Sequence, residues 1–75
     1  MDITTRVNAP FSYRNGKQTY TSSVEVAAIN LEQAQAGNEY AKRRICEDVA
    51  RTLRMQSDGR FMSKVEWSKI KWLRP

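Results

Sequence analysis

Arg43, Arg44, Arg51 and Arg54 are the residues whose type and spacing point to chemistry, because on a helix they fall on one side together with Tyr40 and Glu47. A guanidinium keeps its charge and presents a planar fork of donors, so such a row suits the holding of phosphates or carboxylates rather than the transfer of protons. The same face also has a structural reading. Arg43 with Glu47, Arg44 with Asp48, and Glu47 with Arg51 are i,i+4 pairs on a solvated surface, each worth about 0.3–0.5 kcal/mol. Arg54 escapes that reading, since Ala50 and Arg51 occupy its i−4 and i−3 positions.

Equipment for catalysis is sparse. The chain has no histidine and one cysteine, Cys46, which removes an imidazole base, a Ser-His or Cys-His dyad and a cysteine-histidine zinc site. Gly16, Gly37 and Gly59 are scattered, so no glycine-rich loop cradles a phosphate. Glu47 and Asp48 point about 100° apart on a helix and do not make an acid–base pair. The expectation is a non-enzymatic protein with no metal and no cofactor, in which Cys46 is a small buried hydrophobe beside an apolar stripe.

The element that must carry the arginines is a helix from Leu31 to about Gln56. Leu31, Ala34, Asn38, Ala41, Ile45, Val49, Thr52, Leu53 and Gln56 share one stripe, mostly apolar and small, that wants to lie on a sheet. Asn30 has the type of an N-cap, with Glu32 and Gln33 in the first turn, and Ser57-Asp58-Gly59 is a stop signal. Gly37-Asn38 interrupts the pattern. The common phase of Leu31 and Ala34 with Ala41 and Ile45 predicts one continuous helix, the alternative being a late start capped by Asn38.

Ahead of the helix, Asn15-Gly16 signals a two-residue hairpin turn of type I′. Pairing Arg14 with Lys17 places Phe11 opposite Tyr20, Val7 opposite Val24, Thr5 opposite Val26 and Ile3 opposite Ala28. One face then holds Val7, Ala9, Phe11, Tyr13, Tyr20, Val24 and Val26, while the other, with Arg6 facing Glu25, is almost wholly polar. Pro10 conflicts with this register, which needs its missing N–H. A bulge or split near Ala9-Pro10 is expected, with the first strand at a sheet edge.

After the helix, Phe61, Ser63, Val65 and Trp67 alternate with Met62, Lys64, Glu66 and Ser68, which reads as a third strand; Ile70 and Trp72 then fall out of phase. A bulge near Ser68-Lys69 restores all the large residues to the core, whereas a straight strand leaves Trp72 exposed beside Lys69, Lys71 and Arg74. A helix over 61–73 is the main alternative. The expected fold class is α+β, in the order strand, strand, helix, strand: a three-stranded antiparallel sheet with one helix on its apolar face and the third strand beside the second. That order resembles the later part of double-stranded RNA-binding domains. The first helix, the third strand before the final helix and the basic motif at that helix's N-terminus are missing, so no residue roles carry over.

Charge is unevenly placed. The net charge is +5 over 75 residues and the pI is 9.8, yet residues 1–40 hold three basic groups against four acidic ones and residues 41–75 hold ten against four. An anionic partner is therefore expected on the side of the helix and the C-terminal strand, with Tyr40, Arg43, Arg44, Arg51, Arg54, Lys69, Lys71, Trp72 and Arg74 as binding residues. Nucleic acid, or a protein of nucleic-acid machinery, fits that chemistry. The alternative is a protein-interaction module of the kind that small phage- or mobile-element-encoded inhibitors and adaptors represent. No run is apolar and long enough to span a membrane and Met1-Asp2 does not start a signal peptide, so one small cytoplasmic domain is expected, open to homodimer formation through a sheet edge.

Overall fold

The computed structural model describes residues 5–73. Strand β1 (Arg6–Asn15) and strand β2 (Gln18–Ala27) form a hairpin, followed by helix α1 (Ala28–Gln35), helix α2 (Glu39–Gln56), a 3-10 turn (Trp67–Lys69) and a short strand β3 (Ile70–Trp72). The sheet is antiparallel with the order β2-β1-β3. Its apolar face is covered by helix, with α2 lying chiefly over β2. Phe11, Tyr13, Val24 and Val26 from the sheet meet Ala34, Ala41, Ile45, Val49 and Leu53 from the helices in one core.

The hairpin keeps both expected faces but shifts its register. Asn15 pairs with Gln18, Tyr13 with Tyr20, Phe11 with Ser22, Ala9 with Val24 and Val7 with Val26. The turn is Gly16-Lys17 rather than Asn15-Gly16. Gly16 has φ 65° and Lys17 does not have positive φ, the pattern of a type II′ turn with glycine at its first central position. Every partner moves by two residues, so no side chain changes face. What changes is which residues bond across the ladder.

Pro10 explains the shift. In a two-residue hairpin the pair flanking the turn exchanges hydrogen bonds, and bonding alternates outward from there. Odd-numbered residues of β1 thus bond to β2, as the Ala28 N–H to Thr5 C=O bond of 2.9 Å continues to show. Pro10 instead directs its backbone toward β3, where its carbonyl accepts from the Leu73 N–H at 2.9 Å. The missing N–H falls at the end of β3, so neither a bulge nor an edge position is needed. β1 is the central strand, and β3 pairs with β1 rather than β2. The expected Ile3–Ala28 pair lies outside the described residues.

The helix expected to be continuous is two helices. α1 begins directly at the end of β2, before Asn30, with Ala27 as its N-cap and no side-chain cap bond. It ends in a Schellman motif: the Asn38 N–H donates to Gln33 C=O at 2.9 Å and the Gly37 N–H to Ala34 C=O at 3.1 Å. Gly37 has φ 108°, and Asn38 then caps α2 by accepting from the Ala41 N–H at 2.9 Å. Two local stop-and-start signals outweigh the shared apolar phase, because a helix end satisfied by glycine and asparagine leaves few orphaned backbone groups. α2 also ends in a Schellman motif. The Gly59 N–H donates to Arg54 C=O and the Asp58 N–H to Met55 C=O, with Asp58 at φ 57°.

Residues 60–66 are irregular rather than a strand. Tyr13 takes the place of a ladder: its buried hydroxyl accepts from the Glu66 N–H at 3.1 Å and donates to the Lys64 C=O at 3.4 Å. Phe61 is fully buried, edge-on to Tyr13 and Tyr20 at ring centroid distances of 6.0 and 5.5 Å. The 3-10 turn then makes the phase correction expected of a bulge. Ile70 is buried, and Val65, Trp67 and Trp72 pack half-buried against the core.

Candidate functional site

Ala41, Ile45, Val49 and Leu53 bury one side of α2, which leaves the opposite side, centred near Glu47, facing solvent. Tyr40, Arg43, Arg44, Arg51 and Arg54 all stand exposed on it. Tyr40, Arg43, Arg44, Glu47, Asp48 and Arg51 line a single shallow depression. The sequence thus brought the helix residues together as expected.

Their charges are not mutually satisfied. None of the three i,i+4 pairs forms; Arg51 instead meets Asp48, three positions away, at 3.5 Å. Arg43, Arg44 and Arg54 have no carboxylate partner among the described residues. Exposed side chains gain little from pairing and lose rotamer freedom in doing so, so this is the ordinary outcome at a surface. The Tyr40 phenol, ahead of Asp48 and Glu47, pushes the Arg44 pKa further up. Arg44 is a permanent cation.

Arg43 and Arg54 also border a second feature. An open groove of about 650 Å3 runs between α2 and residues 62–67. Half-buried Cys46, Ala50, Val65 and Trp67 line it together with the charged groups of Lys42, Lys64 and Glu39. Lys42 is held by Glu39 at 3.1 Å. Met62, at the groove, is 86% exposed and Met55, on α2 beside Arg51 and Arg54, is 77% exposed, values that identify them as unburied apolar surface rather than core. Met62, Lys64 and Trp67 were not legible as site residues, because only the fold of residues 60–66 brings that segment against α2. Burial pushes the Cys46 thiol up, which makes it a poor nucleophile at neutral pH.

The remaining expected residues are distributed differently. Lys69 is bonded to Glu66 at 2.9 Å, and that carboxylate raises its pKa. Lys71 pairs with Ser12, on the sheet face turned away from α2, and so does not join the arginines. Trp72 faces the core side, with Phe11 at 6.1 Å and Trp67 at 5.8 Å. Its indole N–H is buried without an acceptor, and the side chain as a whole is half-buried against the core. Arg74 lies outside the described residues. Among the described residues no cluster of acidic, cysteine or histidine side chains assembles a metal site, and no helix is long and apolar enough to cross a membrane. Compared with protein-family models, curated proteins and solved structures, the chain matches none.

Proposed function

We propose that this chain is a non-enzymatic binding protein that engages nucleic acid, or a nucleic-acid-processing complex, through the exposed face of α2. The observation that carries this reading is the set of three arginines, Arg43, Arg44 and Arg54, that share the face and have no carboxylate partner among the described residues. Unpaired guanidiniums on a rigid helix are positioned to contact successive phosphates, and Tyr40, 67% exposed beside Arg44, is available to stack on a base.

An acidic protein surface is the second reading, favoured by the groove. Its half-buried Ala50, Val65 and Trp67, with Met62 exposed at the side, offer apolar area that a phosphate backbone does not use. Tyr, Trp, Met and Arg are the types that concentrate at protein interfaces.

Charge reversal tests the first reading. The triple variant Arg44→Glu, Arg51→Glu and Arg54→Glu is expected to abolish binding of labelled duplex and single-stranded nucleic acid while leaving the circular dichroism melt close to wild type, since all three side chains are exposed. A triple variant that binds as tightly as wild type sinks the reading.

A further inference from the structure

β2 is a long edge strand with little to protect it. Its ten residues run without a bulge, contain neither proline nor lysine, and pair on one side only among the described residues. Alternation along the hairpin turns the backbone N–H and C=O groups of Thr19, Thr21, Ser23 and Glu25 outward, away from β1. The Thr21 carbonyl confirms that direction, because it accepts from the exposed Gln56 side-chain amide at 3.2 Å. Natural edges usually carry a charge, a proline or a bulge against strand addition. Here the middle of the strand is Thr19 to Ser23, uncharged throughout.

We propose that β2 pairs antiparallel with β2 of a second copy about a two-fold axis, joining two three-stranded sheets into one of six strands. The edge is self-complementary. With the axis at Thr21, each Thr21 exchanges both backbone hydrogen bonds with its counterpart, displacing the Gln56 amide. Thr19 then faces Ser23 of the second copy, a hydroxyl pair on the polar side. The same register brings Lys17 level with Glu25 of the second copy, twice by symmetry, so opposite charges meet at both ends and no like charges face each other. Complementarity to its own sequence is what selects a second copy over a foreign strand. Strand pairing of this length buries less than the roughly 1,200 Å2 of a tight interface, so the dimer depends on concentration.

The strand pairing requires none of the α2 arginines, so its failure leaves the nucleic-acid reading untouched. The test is sedimentation equilibrium of the full chain from micromolar to millimolar concentration, with amide hydrogen exchange at both ends of that range. The 8.7 kDa chain is expected to double in mass, with exchange at Thr19, Thr21, Ser23 and Glu25 slowing about tenfold or more as dimer forms. Thr21→Pro removes an outward N–H and no bond to β1, so it is expected to stay folded and monomeric. Should that variant fail to fold, the wild-type exchange data decide alone. A mass that stays monomeric at every concentration, outward amides whose exchange ignores concentration, or a folded Thr21→Pro that dimerises as wild type overturns the proposal.

Discussion

Asn38 decides where α2 begins, and with it where the first arginines point. Its side-chain carbonyl satisfies the Ala41 N–H, a bond that alanine cannot make. Asn38→Ala is expected to cost about 1 kcal/mol in urea unfolding, and Asn38→Asp to restore most of it. Gly37→Ala is expected to cost about 1 kcal/mol or more for a different reason: at φ 108° an added Cβ meets nothing within 4 Å, so the penalty is purely backbone. Cys46 supplies a pH signature. The folded chain holds its thiol proton to higher pH than the unfolded chain does, because burial raises the pKa. Stability is therefore expected to fall as pH rises from the ordinary thiol range through the raised value, the folded state binding more protons there. Alkylation of the native protein by iodoacetamide should likewise rise only above that ordinary range, a profile that the unfolded chain will not share.

At the scale of elements, alternation of side chains was legible wherever one face had to be buried. The faces of the hairpin follow from Val7, Ala9, Phe11 and Tyr13 against Tyr20, Val24 and Val26, and they survive a register shift of two residues. The register itself was legible only through Pro10, whose conflict with an Asn15-Gly16 turn was real and was resolved by moving the turn by one position. Its effect on strand order was not legible, since a proline tolerated beside a three-residue β3 looks, in sequence, like a proline at an edge. The stop at Ser57-Asp58-Gly59 is legible from its residue types, whereas at Gly37-Asn38 the helical phase shared by both sides hides an equally good stop and start. Residues 60–66 alternate like a strand yet form none, because a single side chain, Tyr13, supplies polar contacts that a strand would have taken from its neighbours. Phe61 fastens that segment and should show it. Phe61→Ala is expected to cost about 3–5 kcal/mol, against a total of about 5 kcal/mol at the lower end for natural domains. A thermal melt should therefore show a largely unfolded variant or a broad transition, and a cooperative melt near the wild-type midpoint would mean that residues 60–66 do not complete the core.

At the scale of the whole molecule, the fold places basic groups on both solvent-facing sides. On the hairpin's outer face Arg6 holds Glu25 at 3.1 Å, while Arg14 and Lys71 have no carboxylate partner among the described residues; α2 turns its unpaired arginines the other way. Lys71, placed on the outer face, should contribute little to binding through α2: Lys71→Ala is expected to change affinity for nucleic acid by less than about threefold, where loss of Arg44 changes it by about tenfold, the size of a charge-assisted contact of roughly 1.5 kcal/mol. The most direct measurement is fluorescence anisotropy of labelled duplex DNA, single-stranded DNA and RNA titrated with wild-type protein at salt concentrations from low to physiological. Contacts from three to four arginines predict binding that persists at physiological salt, with log affinity falling against log salt at a slope of roughly −3 on duplex DNA. Binding that is absent, or that vanishes above low salt, would contradict a phosphate-tracking face and turn the groove beside Trp67 into the surface on which to seek a protein partner.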